Sequence, residues 1–342
     1  MSLIEQSARA RSFGSFAIRR RLVCLMGAAC AVPWQVVRAQ RSATHRVGFL
    51  SGGTQTDAAA FLQSFVERLR EIGYREGDNL VLDARYAEYS AERATRLAHE
   101  IAALKPAVIV ANGGGIGPAC RLIPQVPVVF LHSGNPVDAG YADSIARPGR
   151  NATGITLLAL DLIGKRVELL KQINPKLSRV AFLASPEHAG QHRELAATRA
   201  ASERLGLGIS YYEVSTPAEL AAALPNVAAD RPDAALLFSD ALMTGQRQLL
   251  AAFFLKHRIP SASGWSAFPE AGHLLSYGPE RHATWRRLTY FVDQIIKGTP
   301  PGRIPIELPT VVEMVVNRRT AHAMDLVLSP EILLRADRVI DT

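Results

Sequence analysis

From residue 46 onward the chain alternates between short, continuous apolar runs and longer stretches whose apolar residues recur three and four apart. The runs at 46–50 (RVGFL), 107–111 (AVIVA) and 128–131 (VVFL) have the length and β-branched content of strands buried on both faces. Residues 79–85 alternate as a further strand. Between them, 57–72 places Phe61, Leu62, Phe65, Val66, Leu69 and Ile72 at helical spacing before Gly73. Residues 91–104 align Leu97, Ile101 and Leu104 before Pro106, and a short helix spans 118–123. The resulting order, βαβαβαβ, predicts a parallel sheet with helices on both faces.

The pattern restarts at 162. Helices over 162–173, 194–205, 217–229 and 244–257 alternate with strands at 179–184, 207–214, 234–238 and 259–261, which makes a second α/β unit. A strand at 274–278, a helix over 281–297, a Pro-rich link, an extended run at 309–317 and helical segments over 319–341 complete the chain. Residues 147–154, rich in Pro, Gly and Asn, read as a connector between the two units. The expected fold class is α/β, two doubly wound lobes with parallel sheets joined by a multi-strand hinge. Residues 45–150 and 277–305 form lobe I in this reading, 151–276 form lobe II, and 306–342 supply a third crossing and a C-terminal segment of unassigned lobe.

Composition changes this picture at one end only. With 342 residues and 48% hydrophobic content the chain can bury two cores. The formal charge of +8 suggests nucleic acid, but residues 1–39 hold six arginines against Glu5, a net +5 that leaves +3 for the rest. No Lys/Arg cluster interleaved with aromatics follows, so no nucleic-acid partner is expected. Arg19, Arg20 and Arg21 precede an apolar segment, 22–32, too short to span a bilayer, and Val37 and Ala39 stand where a signal peptidase prefers small residues. Residues 1–39 thus read as an export signal cleaved near Ala39, which places the mature chain in the periplasm or outside the cell. General secretory and twin-arginine export both fit, and Cys30 leaves lipidation open. Cleavage leaves Cys120 as the single cysteine, without a disulfide partner.

Three strands of the first unit end in small polar tips: 51–54 (SGGT), 112–115 (NGGG) and 132–136 (HSGNP). Parallel topology puts these tips at one sheet edge, where ligands of open α/β sheets bind. The second unit has comparable tips at Ser185 and at Ser239 and Asp240. The candidate ligand contacts are therefore Ser51, Thr54, Asn112, Gly114, Ser133, Asn135, Ser185, Asp240 and Tyr277. For an amino acid or related small acid, hydroxyls and backbone N–H groups at Ser51, Thr54, Gly114 and Ser133 would serve a carboxylate. Asp240 would accept from an ammonium, and Tyr277 and Trp265 would stack on a planar side chain. Structural readings stand beside these: Asp240 as a helix N-cap, Tyr277 as lobe packing, the glycines as tight turns. No phosphate-binding, metal-binding or nucleophile motif is present, so no cofactor and no catalysis are expected.

Six blocks together carry a resemblance: RVGFLSGGT at 46–54, LREIGYREGDNLVLDARYAE at 69–88, HSGNPVDAGYADSIARPGRNATGIT at 132–156, GKRVELLKQINP at 164–175, EAGHLLSYGP at 270–279 and LLRADRVI at 333–340. The chain resembles the bacterial ABC-transporter substrate-binding proteins of the tryptophan/tyrosine-type uptake family. That resemblance implies a type I periplasmic-binding-protein fold, three interlobe crossings, a small solute trapped by hinge closure, and a membrane permease and ATPase as partners; the chain itself is expected to be a monomer. The chain departs from many members at Asn135, where they have Asp, and at Ala241, where they have Pro. An exported ligand sensor of the same fold and an exported α/β enzyme remain alternative readings.

Overall fold

The computed structural model describes residues 44–157, 160–186 and 191–341. The first sheet is built from β1 (His45–Ser51), β2 (Leu80–Tyr86), β3 (Val108–Asn112), β4 (Val128–His132) and β5 (Ala152–Thr156), in the order β2-β1-β3-β4-β5, all parallel. Helices α1 (Gln55–Glu71), α2 (Ala91–Ala103) and α3 (Ile116–Leu122) connect its strands. The strands feed two cores by strict alternation. Val47, Phe49, Val108, Val110, Val129 and Leu131 face α1, whereas Leu50, Ile109, Ala111, Val128 and Phe130 face α2 and α3.

The second sheet runs β12-β11-β10-β9-β8-β6-β7. Its elements are α4 (Leu160–Ile173), β6 (Arg179–Ala184), α5 (Gln191–Arg204), β7 (Gly208–Glu213), α6 (Pro217–Ala229), β8 (Ala234–Leu237), α7 (Ala241–Gly245), α8 (Arg247–Lys256), β9 (Ser261–Ser263), α9 (Ala267–Glu270) and β10 (Leu275–Pro279). After α10 (Arg281–Ile296) come β11 (Val312–Asn317), α11 (Arg318–Ala323), α12 (Pro330–Arg335) and β12 (Arg338–Ile340). All neighbours pair parallel except β10 and β11. The core beneath this sheet gathers Val167, Phe182, Leu236, Phe254, Phe268 and Met314.

Each sheet with its helices is one lobe, and sheet membership shifts several sequence assignments. Residues 147–154 are more than a connector: β5 is fully buried and forms the fifth strand of the first sheet, and Thr153 donates to the Ile304 carbonyl at 2.7 Å. The strand containing Tyr277 belongs to the second sheet, and the return to lobe I occurs only with α10, whose Trp285, Leu288 and Phe291 pack against β1, β3 and α1. The last segment carries β11 and β12 into the second sheet. The helix expected over 244–257 is divided between α7 and α8, and the following strand begins at Ser261. The chain thus passes between lobes three times: between β5 and α4, between β10 and α10, and between Glu307, bridged to Ile155, and β11. The export signal expected at 1–39 lies outside the described residues.

Candidate functional site

The carboxyl ends of β1, β3 and β4 do lie at one edge of the first sheet, since Ser51 is in register with Asn112, and Asn112 with Leu131. What those tips do is mostly local. Ser51 is buried, and its hydroxyl accepts from the Gly53 amide at 3.2 Å. Thr54 caps α1 by accepting from the Asp57 amide at 3.1 Å. Gly114 lies against the backbone of Gly52, where an added Cβ would stand 2.2 Å from the Gly114 nitrogen, so these glycines permit two tips to touch. Asn135 accepts from the amides of Val137 and Asp138 and so closes the turn that presents Asp138. Among the described residues the buried side-chain oxygen of Asn112 has no hydrogen-bond partner. His132 packs against Phe130 and Tyr141, and burial lowers its pKa to about 4.

In the second lobe Asp240 is the N-cap of α7. One of its carboxylate oxygens accepts from the Met243 amide at 2.7 Å and the other from the Ser185 amide at 3.1 Å. Two sequence-predicted residues thereby hold the tips of β6 and β8 together. Tyr277 is partly buried on the lobe core, and its carbonyl accepts from Arg166 Nε at 2.8 Å.

Of the nine expected contacts, Ser133 alone lines the pocket between the lobes. The other walls are Leu157, Arg166, Glu194, Phe238, Ser239, Trp265 and Pro279. Trp265 is the aromatic that the sequence offered for stacking; Arg166 and Glu194 were missed. Room for Arg166 comes from Gly264, where a Cβ would approach its guanidinium nitrogen to 2.6 Å and the Ser239 hydroxyl to 2.8 Å. Desolvation draws the Arg166 pKa down to about 10, against the pull of Glu194. Burial pushes the Glu194 carboxyl well above the usual range; Arg166 opposes that shift and Asp240 adds to it.

Two ion pairs join the lobes beside this pocket. Asp57 on α1 meets Arg247 on α8 at 3.0 Å and also accepts from Thr54 at 2.6 Å and Tyr89 at 2.8 Å. Burial raises the Asp57 carboxyl, but those hydrogen bonds and the Arg247 charge outweigh it and hold the pKa below its ordinary value. Asp138 receives a two-pronged contact from Arg193 on α5, at 2.8 and 3.1 Å. Between the lobes, the Arg281 guanidinium stacks 3.8 Å from the Phe61 ring centre and 5.0 Å from that of Trp265. With the lobes joined, the cavity is about 20 Å³, enough for about one water.

These pairs stabilise the closed arrangement through contacts that exist in it alone. Arg193→Gln combined with Arg247→Met is expected to shift the unliganded chain toward an open form, with a larger radius of gyration by small-angle scattering. The wild-type radius should grow with added salt, since exposed pairs are screened. A double variant with the wild-type radius at every salt concentration would remove the pairs as latches.

The family model described as ABC transporter substrate binding protein matches residues 55–340. The chain is 20% identical over 266 residues to the tyrosine-binding protein of Clostridioides difficile strain R20291, an alignment covering 77% of this chain and 76% of that one. A conserved domain protein from Vibrio cholerae O1 biovar El Tor superposes with a TM-score of 0.80 at 20% identity, covering 86% of this chain and 99% of that one. A Streptococcus pneumoniae ABC domain in complex with L-Trp gives 0.80 at 18% identity, covering 87% and 100%. The family match spans both lobes and all three crossings, and members of this family bind solutes without transforming them. The chain belongs to the ABC transporter substrate-binding protein family.

Proposed function

We propose that this chain captures an α-amino acid with an aromatic side chain outside the cytoplasmic membrane and delivers it, enclosed between the lobes, to the permease and ATPase subunits of an ABC importer. The observation that carries this is the interlobe pocket, where Arg166, Glu194 and Ser239 of one lobe face Ser133 of the other beside Trp265 and Phe238. Such a mixture of a few charged groups with aromatic walls suits a small polar solute with a planar side chain. The tyrosine-binding and L-Trp-bound relatives support the same class. The export-signal pattern of residues 1–39 supports extracytoplasmic residence, and a single chain supplies both walls of the pocket.

Closure follows population-shift logic: ligand docks on one lobe of the open form, and the contacts it gains from the other lobe set how far the equilibrium moves. Thermal-shift screening of the purified chain against the twenty amino acids, polyols and small aromatic acids is expected to single out aromatic amino acids. Calorimetry should then return micromolar dissociation constants, roughly −8 kcal/mol. Stabilisation by polyols alone would overturn the ligand class, and turnover of any compound would overturn binding as the whole activity.

A further inference from the structure

The pocket is charged in a manner that a neutral solute would leave unanswered. Arg166 reaches it from the second turn of α4 and Glu194 from the first turn of α5. The Arg166 Nε–H is spent on the Tyr277 carbonyl, which orients the guanidinium, and among the described residues no carboxylate pairs with it. Glu194 is only 5% exposed, and its Oε2 is buried with no hydrogen-bond partner among the described residues. The two charges influence each other through space yet form no ion pair.

Nor does the neighbouring acid relieve this. Both oxygens of Asp240 are engaged by backbone amides, so it adds negative potential beside Glu194 and leaves Glu194 Oε2 without a donor among the described residues. A carboxylate with one oxygen buried and lacking a donor is costly to the fold. Such groups cluster where a ligand supplies the missing partner.

We infer that Arg166 and Glu194 together make this pocket a reader of zwitterions, Arg166 taking the carboxylate of the ligand and Glu194 its ammonium group. The inference rests on the solute-capture reading and gives that site its selectivity. An α-amino acid carries both charges on one compact head group, so a single pose answers both residues while the side chain lies along Trp265 and Phe238. A polyol answers neither, and a monoacid or a monoamine leaves one buried charge unpaired. Discrimination thus comes from the penalty on the wrong solute as much as from attraction to the right one.

The test is calorimetry of the full chain with L-tryptophan and L-tyrosine, with their analogues lacking the amine (3-indolepropanoate and 3-(4-hydroxyphenyl)propanoate), and with those lacking the carboxylate (tryptamine and tyramine). The wild type should prefer each amino acid over both analogues by on the order of 100-fold. Glu194→Gln should abolish the preference over the deaminated analogue while still binding that analogue. Arg166→Gln should abolish the preference over the amine, and Arg166→Lys should restore part of it. This crossed pattern requires no variant to be fully stable, because the analogue series on the wild type already carries half of it. Analogues that bind the wild type as tightly as the amino acids, or variants that weaken every compound alike, would overturn the zwitterion assignment and leave solute capture standing. Should no amino acid or analogue bind, solute capture by this pocket falls and the assignment falls with it.

Discussion

Trp285→Ala is expected to lower the unfolding free energy by about 3–5 kcal/mol, the usual range for removing a large buried aromatic. Trp285 is 1% exposed and lies on α10, more than two hundred residues from the strand it covers. Its ring centre stands 5.7 Å from that of Phe49 on β1 and 6.4 Å from that of Phe65 on α1. The helix therefore closes the core of the first lobe after the chain has laid down β6 to β10 of the second and before it adds β11 and β12. Its indole Nε1 is buried without a hydrogen-bond partner among the described residues, so Trp285→Phe removes an unsatisfied donor as well as ring volume and should cost less, under about 2 kcal/mol. Urea unfolding of both variants reads the difference. A loss below about 1 kcal/mol for the alanine variant would mean that α10 does not seal the lobe.

β1, β3 and β4 were legible because each is an uninterrupted apolar run, as a parallel sheet covered on both faces demands, and β2 because it alternates. β5 was not, because ATGIT is small and carries a glycine, and its burial comes from β4 on one side and residues 304–307 on the other. Nothing within the segment announces those partners. The last strand, RVI at 338–340, is too short to stand out from the helical turns before it. The polar strand tips were found, yet a tip has two uses that composition cannot separate. Thr54, Asn135 and Asp240 have the chemistry of ligand contacts and also that of caps, and the structure engages all three with backbone amides.

Arg166 and Glu194 left a fainter signal. Arg166 lies three residues after buried Ile163 and four before buried Leu170, and Glu194 lies four before buried Thr198 and seven before buried Ala201. Each is a charge on the inward stripe of its helix, where a solvated charge does not belong. Search for polar tips favours loops, and a binding group that approaches from a helix face escapes it. Only the packing of α4 against β8, β9 and β10, and of α5 against α4 and β7, decides that these stripes open onto a cavity instead of closing on one.

Between pH 4 and pH 7 the unfolding free energy of Asp240→Asn is expected to rise relative to wild type by about 2.5 kcal/mol. Burial raises the Asp240 carboxyl from 3.8 to about 6, even though the amides of Met243, Ser185 and Leu242 pull it down. The folded chain then holds this proton more tightly than the unfolded chain does. As pH climbs from about 4 to 6 the native state must give up a proton that it favours, so the wild type loses stability across that window; below 3.8 the penalty is absent, and above about 6 it is complete. Asparagine does not titrate, so the difference between the two chains should follow that curve whatever constant offset comes from the altered contact to the Ser185 amide. Glu194 on α5 and Arg166 on α4 face the same region, and Glu194 titrates abnormally as well. Repeating the comparison in a Glu194→Gln background separates the two acids: a curve that keeps its shape belongs to Asp240, and one that flattens belongs to the pair. A difference independent of pH in both backgrounds would mean that the Asp240 carboxylate is solvated in the native chain, and the cap would then cost the fold nothing.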